Sequence, residues 1–142
     1  MPNWTTNKIK MKNIVACDDL FSVNDRGEKY FDFNKLIPEP KTKNECPTKY
    51  LDDGTKYLEH SDGRDWFNWL DWRRDFWRTK WNSCDTQFIS NDEIQFDTAW
   101  NCPMPIFETL AKKYKDREII VEWEDEDDWD TVHRRHFNFE ED

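Results

Sequence analysis

The run Cys84-Asp85-Thr86-Gln87-Phe88-Ile89-Ser90-Asn91-Asp92-Glu93-Ile94-Gln95-Phe96-Asp97-Thr98 decides the fold. Residues 84–89 and 94–98 are both β-compatible, and the connection between them is rich in turn formers, so the run predicts a β-hairpin. Downstream, Pro103 and Pro105 suit the first turn of a helix in which Ile106, Phe107, Leu110, Ala111 and Tyr114 recur at helical spacing. Residues 117–123 then read as a strand, with Ile119 and Val121 on one face and Ile120 and Glu122 on the other. Upstream, Asp62 or Asp65 can cap an amphipathic helix that runs through Trp66, Trp69, Leu70 and Trp72 to Trp77. At the start of the chain, residues 4–16 alternate polar and apolar side chains around Lys8-Ile9-Lys10-Met11-Lys12, the period of a strand with one buried face. The order is therefore strand, helix, strand, strand, helix, strand. It predicts an α+β domain of split βαβ, ferredoxin-like type: a four-stranded antiparallel sheet with two helices on one face.

Between the first strand and first helix, residues 17–63 form an insertion punctuated by Pro38, Pro40, Pro47, Gly54 and Gly63. Within it Asp18 can cap a short helical turn, and Tyr30-Phe31-Asp32-Phe33 reads as a brief strand. The whole of 1–142 suits one domain with a single modest core. Hydrophobic residues make up only 36% of the chain, but 16% of it is aromatic, and large rings supply buried area from few positions. No apolar run reaches the length of a membrane span and no basic-then-apolar leader opens the chain, which predicts a cytoplasmic protein. Cys17, Cys46, Cys84 and Cys102 are widely and irregularly spaced, with no CxxC, and the HxxH of His133 and His136 has no companion cysteine nearby. Free thiols are expected, with no metal and no cofactor.

The net charge of −10 is concentrated at one end. Residues 122–142 hold ten acidic side chains against Arg134 and Arg135, a net −8 that leaves −2 for residues 1–121. An acidic C-terminal segment opposes direct binding to a nucleic-acid backbone and favours a protein partner with a basic groove. Seven of the nine residues from Glu122 to Asp130 are acidic and two are Trp. Glu124, Asp125, Glu126, Asp127, Asp128, Trp129 and Asp130 thus form a candidate partner-binding segment, dense negative charge with an aromatic anchor that can imitate a nucleic acid. The alternative reading is a solvated end that keeps the protein soluble.

A second candidate lies in Trp77-Arg78-Thr79-Lys80-Trp81-Asn82 and Asp97-Thr98-Ala99-Trp100-Asn101. If the first of these is extended, Trp77, Thr79 and Trp81 point one way and Arg78 with Lys80 the other, toward an anion or toward neighbouring aromatics and carboxylates. Asp97 and Thr98 stand where a strand meets a proline-started helix and can serve a ligand or fasten that corner by local hydrogen bonds. Arg78, Lys80, Asp97 and Thr98 are the residues of this alternative small-anion or nucleotide site. Catalytic patterns are thin. Cys84 or Cys102 with a distant histidine is the nearest approach to a nucleophile and base, and the glycines form neither a GxGxxG nor a phosphate loop, so the chain reads more as a binding module than as an enzyme.

Met1-Pro2-Asn3-Trp4 with Asn7, Phe76-Trp77-Arg78-Thr79-Lys80-Trp81-Asn82, Phe96-Asp97-Thr98-Ala99-Trp100 and the pair Pro103 and Pro105 together resemble the YubB ferredoxin-like family, small proteins carried mostly by phages and plasmids. Phe31-Asp32-Phe33-Asn34-Lys35-Leu36-Ile37-Pro38 is similar to a family segment as well. The chain departs in having Thr5 where a cysteine is common, Arg78 where a glycine is common, and a lengthened acidic end. The resemblance implies a ferredoxin-like fold and a phage or plasmid setting, and no settled activity. With the charge distribution it leads to an expected role: a protein-binding module that inhibits a host defence nuclease complex, in the manner of an anti-CRISPR protein, through an acidic, nucleic-acid-mimicking surface.

Overall fold

The computed structural model describes residues 3–41, 69–128 and 130–138. Its centre is the N-terminal strand β1 (Trp4–Met11), whose alternation puts Thr5, Asn7, Ile9 and Met11 inward and Thr6, Lys8 and Lys10 outward. After the start of the insertion come β2 (Phe21–Val23) and β3 (Lys29–Phe31), a separate two-stranded sheet, then helix α1 (Trp69–Phe76). The hairpin β4 (Cys84–Ser90) and β5 (Glu93–Ala99) follows, then helix α2 (Met104–Lys113), β6 (Ile119–Asp125) and β7 (His133–Phe137). The main sheet has the order β4-β5-β1-β6-β7 and is antiparallel throughout. Its first four strands carry the ferredoxin-like order. Ile9 lies beside Ile94 on one neighbour and Val121 on the other, so the inward positions of three strands merge into one apolar floor. Buried residues of both helices pack into the same core as that floor: Trp72 from α1, and Ile106, Phe107, Leu110 and Ala111 from α2. No helix among the described residues is long and apolar enough to cross a membrane.

Two expectations change. The main sheet has five strands rather than four, because His133-Arg134-Arg135-His136-Phe137, a run with little apolar content, pairs with β6. Charge makes that pairing favourable: Arg134 stands opposite Glu122 and bonds it at 2.7 Å. The described part of the segment 122–142, expected as one acidic stretch, is therefore the end of β6, a loop and a second strand. The other change is that β1 stops at Met11, short of the expected residue 16. Asn13 takes a left-handed φ of 59° and turns the chain into short 3₁₀ turns at Ile14–Ala16 and Asp18–Leu20. The expected start of α1 near Asp62 or Asp65 lies outside the described residues, as do Trp66, Cys46, Pro47, Gly54 and Gly63.

The described part of the insertion belongs to the core. Phe21, Phe31 and Phe33 are buried, and Phe31 and Phe33 both meet Phe96 of β5, at centroid distances of 5.1 and 5.9 Å. Phe33 also meets Trp77 edge-on at 5.6 Å, and Trp77 meets Trp72 at 5.5 Å. The Trp77 indole N–H donates to the Ile37 carbonyl at 2.9 Å, so this fully buried ring keeps its one donor satisfied. Side chains rather than a backbone ladder fasten the small sheet to β4: Thr86 accepts from the Phe31 N–H, and the Ser83 hydroxyl donates to the Phe31 carbonyl. Asp32 accepts from Ser22, Asn82 and the Asn34 N–H; burial raises its pKa, but these bonds outweigh burial and hold it below the usual carboxylate value.

Beyond α1 the segment 77–82 is a series of bends rather than a strand; its expected alternation holds over Trp77, Arg78 and Thr79, buried, exposed and buried, and stops at Lys80 and Trp81, which are both half-buried. The N–H groups of Trp77 and Arg78 both donate to the Arg73 carbonyl at 2.8 Å, and Arg78 takes a φ of 66°. This is the left-handed helix stop that glycine adopts without strain, and arginine does not. The Arg73 guanidinium, itself buried, bonds both oxygens of Glu39 (2.6 and 3.1 Å) and the Lys80 carbonyl, fixing the bends against the insertion.

Two outcomes follow from this packing. Trp77→Ala should lower unfolding free energy by about 3–5 kcal/mol in urea denaturation, and Trp77→Phe, which keeps the ring contacts but loses the bond to Ile37, by less. Arg78→Gly should instead raise it, by about 1 kcal/mol, because the left-handed φ no longer carries a Cβ penalty.

Candidate functional site

One end of the sheet gathers nearly every residue that the sequence singles out. The start of β1, the end of β5 and the end of β6 meet there, and Trp4 stands at the junction. Its ring packs on Trp81 at 5.9 Å, and its backbone N–H donates to the Glu126 carboxylate at 2.8 Å. Its carbonyl accepts from the Glu126 N–H, also at 2.8 Å. The Trp100 N–H donates to the Asn3 carbonyl, and the Asn101 amide donates to the Arg78 carbonyl, which joins the bends after α1 to the corner after β5. Arg78, Asp85 and Trp100 all have positive φ, at 66°, 54° and 85°, and all three lie at this end. No such clustering is readable from sequence.

The acidic residues divide by position. Glu122 and Glu124 lie on the outward face of β6, Trp123 and Asp125 on the inward face. Glu122 accepts from Lys10 at 2.9 Å and from Arg134 at 2.7 Å, and those two cations hold its carboxyl below the usual range. Asp125 accepts from the Thr5 hydroxyl at 2.8 Å and has His133 Nε2 at 3.8 Å, while the His133 ring stacks on Trp123. Glu126, Asp127, Asp128 and Asp130 are exposed on the loop between β6 and β7. Asp128 caps that loop by accepting from the Thr131 hydroxyl at 3.1 Å. Trp129 lies outside the described residues.

Of the alternative site, the structure brings together less. Thr98 is fully buried: its hydroxyl donates to the Asn101 carbonyl at 2.6 Å and accepts from the Asn7 amide at 3.0 Å, the corner-fastening arrangement. Asp97 is on the opposite face of β5 and accepts from Thr6 at 3.2 Å; burial and the nearby charge of Asp85 raise its pKa. Lys80 places its ammonium over the Trp81 ring at 4.9 Å, and Arg78 is exposed. Arg78 and Lys80 share the sheet end with Asp97, while Thr98 is closed off beneath it.

Sequence reading missed Thr5 and Asn7 as members of this region. Both occupy inward positions of an otherwise apolar alternation, which is the signal that exposes them. The Asn7 amide donates to the carbonyls of Thr5 and Phe96 and to Thr98, and its Oδ1 is buried with no hydrogen-bond partner among the described residues. Thiol chemistry is disfavoured here. Burial and the charge of Asp125 push Cys102 up to about 12, and burial with Asp97 and Asp85 raises Cys84, so both thiols stay neutral near pH 7. Cys17, Cys84 and Cys102 are free; Cys46 lies outside the described residues.

Glu122 yields a pH signature. Its folded pKa is depressed, so its contribution is present above its unfolded value of about 4.3 and is lost as pH falls through the folded one. Glu122→Gln should be less stable than the parent at pH 7, and the gap should close on titration toward pH 3 (roughly a unit below the unfolded value) in parallel urea melts.

Residues 76–132, less than half of the chain, match the family described as ferredoxin-like domain in Api92-like protein. The match runs from the last residue of α1 to the loop before β7, so the fifth strand falls outside it. No curated protein and no solved structure matches the chain. Strand order and family match agree on a ferredoxin-like fold: the matched segment supplies β4, β5, α2 and β6, is similar to the domain of Api92-like proteins, and is completed here by β1 and α1.

Proposed function

We propose that this chain is a protein-binding module whose acidic loop between β6 and β7 occupies the basic, nucleic-acid-binding groove of a partner protein. One observation carries the reading. The carboxylates of Glu126, Asp127, Asp128 and Asp130 are exposed within five residues, on a loop held at both ends by paired strands. The bonds between Trp4 and Glu126 and between Thr131 and Asp128 fix that loop from two further sides. A loop tethered at these points before contact has less conformational freedom to lose on binding than a free acidic end, so its charge translates into association more fully. Clustered negative charge also speeds encounter with a basic surface.

In the phage or plasmid setting that resemblance to the YubB family implies, the partner is a host defence nuclease complex and the module is its inhibitor. Trp129, between Asp128 and Asp130, is the anchor expected from sequence. Two of the three acids on β6 have other work: Glu122 is saturated by Lys10 and Arg134, and Asp125 is bound to Thr5, while Glu124 lies on the outward face of the sheet and off the loop. The active carboxylates are therefore those of the loop.

The test begins with pull-down of the tagged chain from a bacterial host at low and high salt, which supplies the partner. The parent should then displace the partner's nucleic acid, with an affinity that falls as salt rises. A variant with Asp127→Asn, Asp128→Asn and Asp130→Asn should bind about tenfold or more weakly, with a flatter salt dependence and an unchanged melt. Equal displacement by parent and variant would refute the acidic-loop mechanism.

A further inference from the structure

The outward face of the sheet, opposite the helices, carries a ladder of charges that closes at both ends and stays open in the middle. Along β1 this face presents Lys10, Lys8 and Thr6 in turn. Lys10 is closed by Glu122, which also takes Arg134. Thr6 is closed by Asp97 at 3.2 Å. Lys8, between them, has Gln95 opposite on β5 and the already saturated Glu122 opposite on β6. Glu124 stands opposite Thr6 and is likewise left over. Lys8 and Glu124 are both half-buried, and neither side chain makes a hydrogen bond or ion pair among the described residues.

These two leftover charges of opposite sign border one cleft of about 320 Å³, lined by Thr6, Lys8, Gln95, Glu122, Glu124 and Val132, with Trp123 beside them. Half-burial removes water from a charge without supplying a partner, which is unfavourable until a ligand completes it. We infer that this cleft binds a small zwitterion of the free amino-acid class. The ligand's carboxylate meets the Lys8 ammonium and its ammonium meets the Glu124 carboxylate. The Gln95 amide offers a neutral donor and acceptor between them, and Val132 an apolar wall for a short side chain. The volume lies at the lower end of ligand pockets, which suits a single amino acid. A purely anionic ligand would meet the carboxylates of Glu122 and Glu124, and a purely cationic one the ammonium of Lys8; a molecule bearing both signs satisfies both walls. Val132, at the far end of the β6–β7 loop, is the one lining residue this site shares with that loop; none of the loop carboxylates lines it.

The test uses the whole chain, ¹⁵N-labelled, titrated with glycine, alanine, serine, glutamate and lysine, with glycolate and ethylamine as single-charge probes. At least one amino acid should shift the amides of Thr6, Lys8, Gln95 and Glu124 saturably, and more strongly than either single-charge probe. Lys8→Met and Glu124→Gln should each weaken that binding by about tenfold or more while leaving the rest of the spectrum folded. The loop variant with Asp127, Asp128 and Asp130 neutralised should bind the amino acid as the parent does, which separates this site from the acidic loop. Absence of a saturable shift with every amino acid, or equal binding in parent and both cleft variants, overturns the inference.

Discussion

The indole of Trp77 joins parts of the chain that lie far apart in sequence. It contacts Phe33 of the insertion and Trp72 of α1, and through Phe33 it reaches Phe96 of the sheet. Its N–H is spent on Ile37, so no polar group is stranded by burying it. A fully buried ring of this size makes many weak contacts at once, and removing it leaves a void that the surrounding rings cannot refill without tilting. The described part of the insertion is therefore tied into the core of the domain. Its Phe31 and Phe33 fill space between helix and sheet that aliphatic side chains would occupy in a plainer version of the fold. The bends after α1 inherit their position from the same anchor, and with them Trp81, Lys80 and the corner at Asn101.

What the sequence makes legible is governed by which signal each element emits. β1 and β5 alternate cleanly because one face is apolar and the other wet, and α2 repeats Ile106, Phe107, Leu110 and Ala111 at the helical period. β7 emits no such signal. Four of its five residues are Arg or His, and it becomes a strand because β6 offers it Glu122 for Arg134 and Trp123 for His133. That complementarity belongs to a pair of segments and is invisible in either one alone. The described part of the insertion is legible in pieces, Asp32 and the aromatic run, but its attachment through Thr86, Ser83 and Asn82 depends on distant partners.

The candidate site shows the same division. Glu126, Asp127, Asp128 and Asp130 are conspicuous as charge, yet only strand direction separates them from Glu122 and Glu124 on one face and Asp125 on the other. Thr98 illustrates the opposite error: a polar residue beside a helix start invites a ligand reading, while its hydroxyl is occupied by Asn101 and Asn7. Position 78 is one where glycine would sit without strain, since the helix stop there is left-handed. Arginine holds that conformation at a cost, and in exchange places a cation at the end of the sheet where the acidic loop also lies.

The central position of β1 sets the order in which this protein can assemble. Trp4 pairs with Ala99, and Thr5 pairs with Asp125, so β1 waits for partners made about a hundred residues later. Closing such long loops before any sheet contact is gained slows folding. Until the β4–β5 hairpin and then β6 emerge, β1 carries an unpaired backbone on both edges. Lys8, Lys10 and Lys12 alternate with its apolar residues, so a premature pairing between two nascent copies would set lysines against lysines. The charges that face solvent in the finished sheet thus also guard the chain while it is being made.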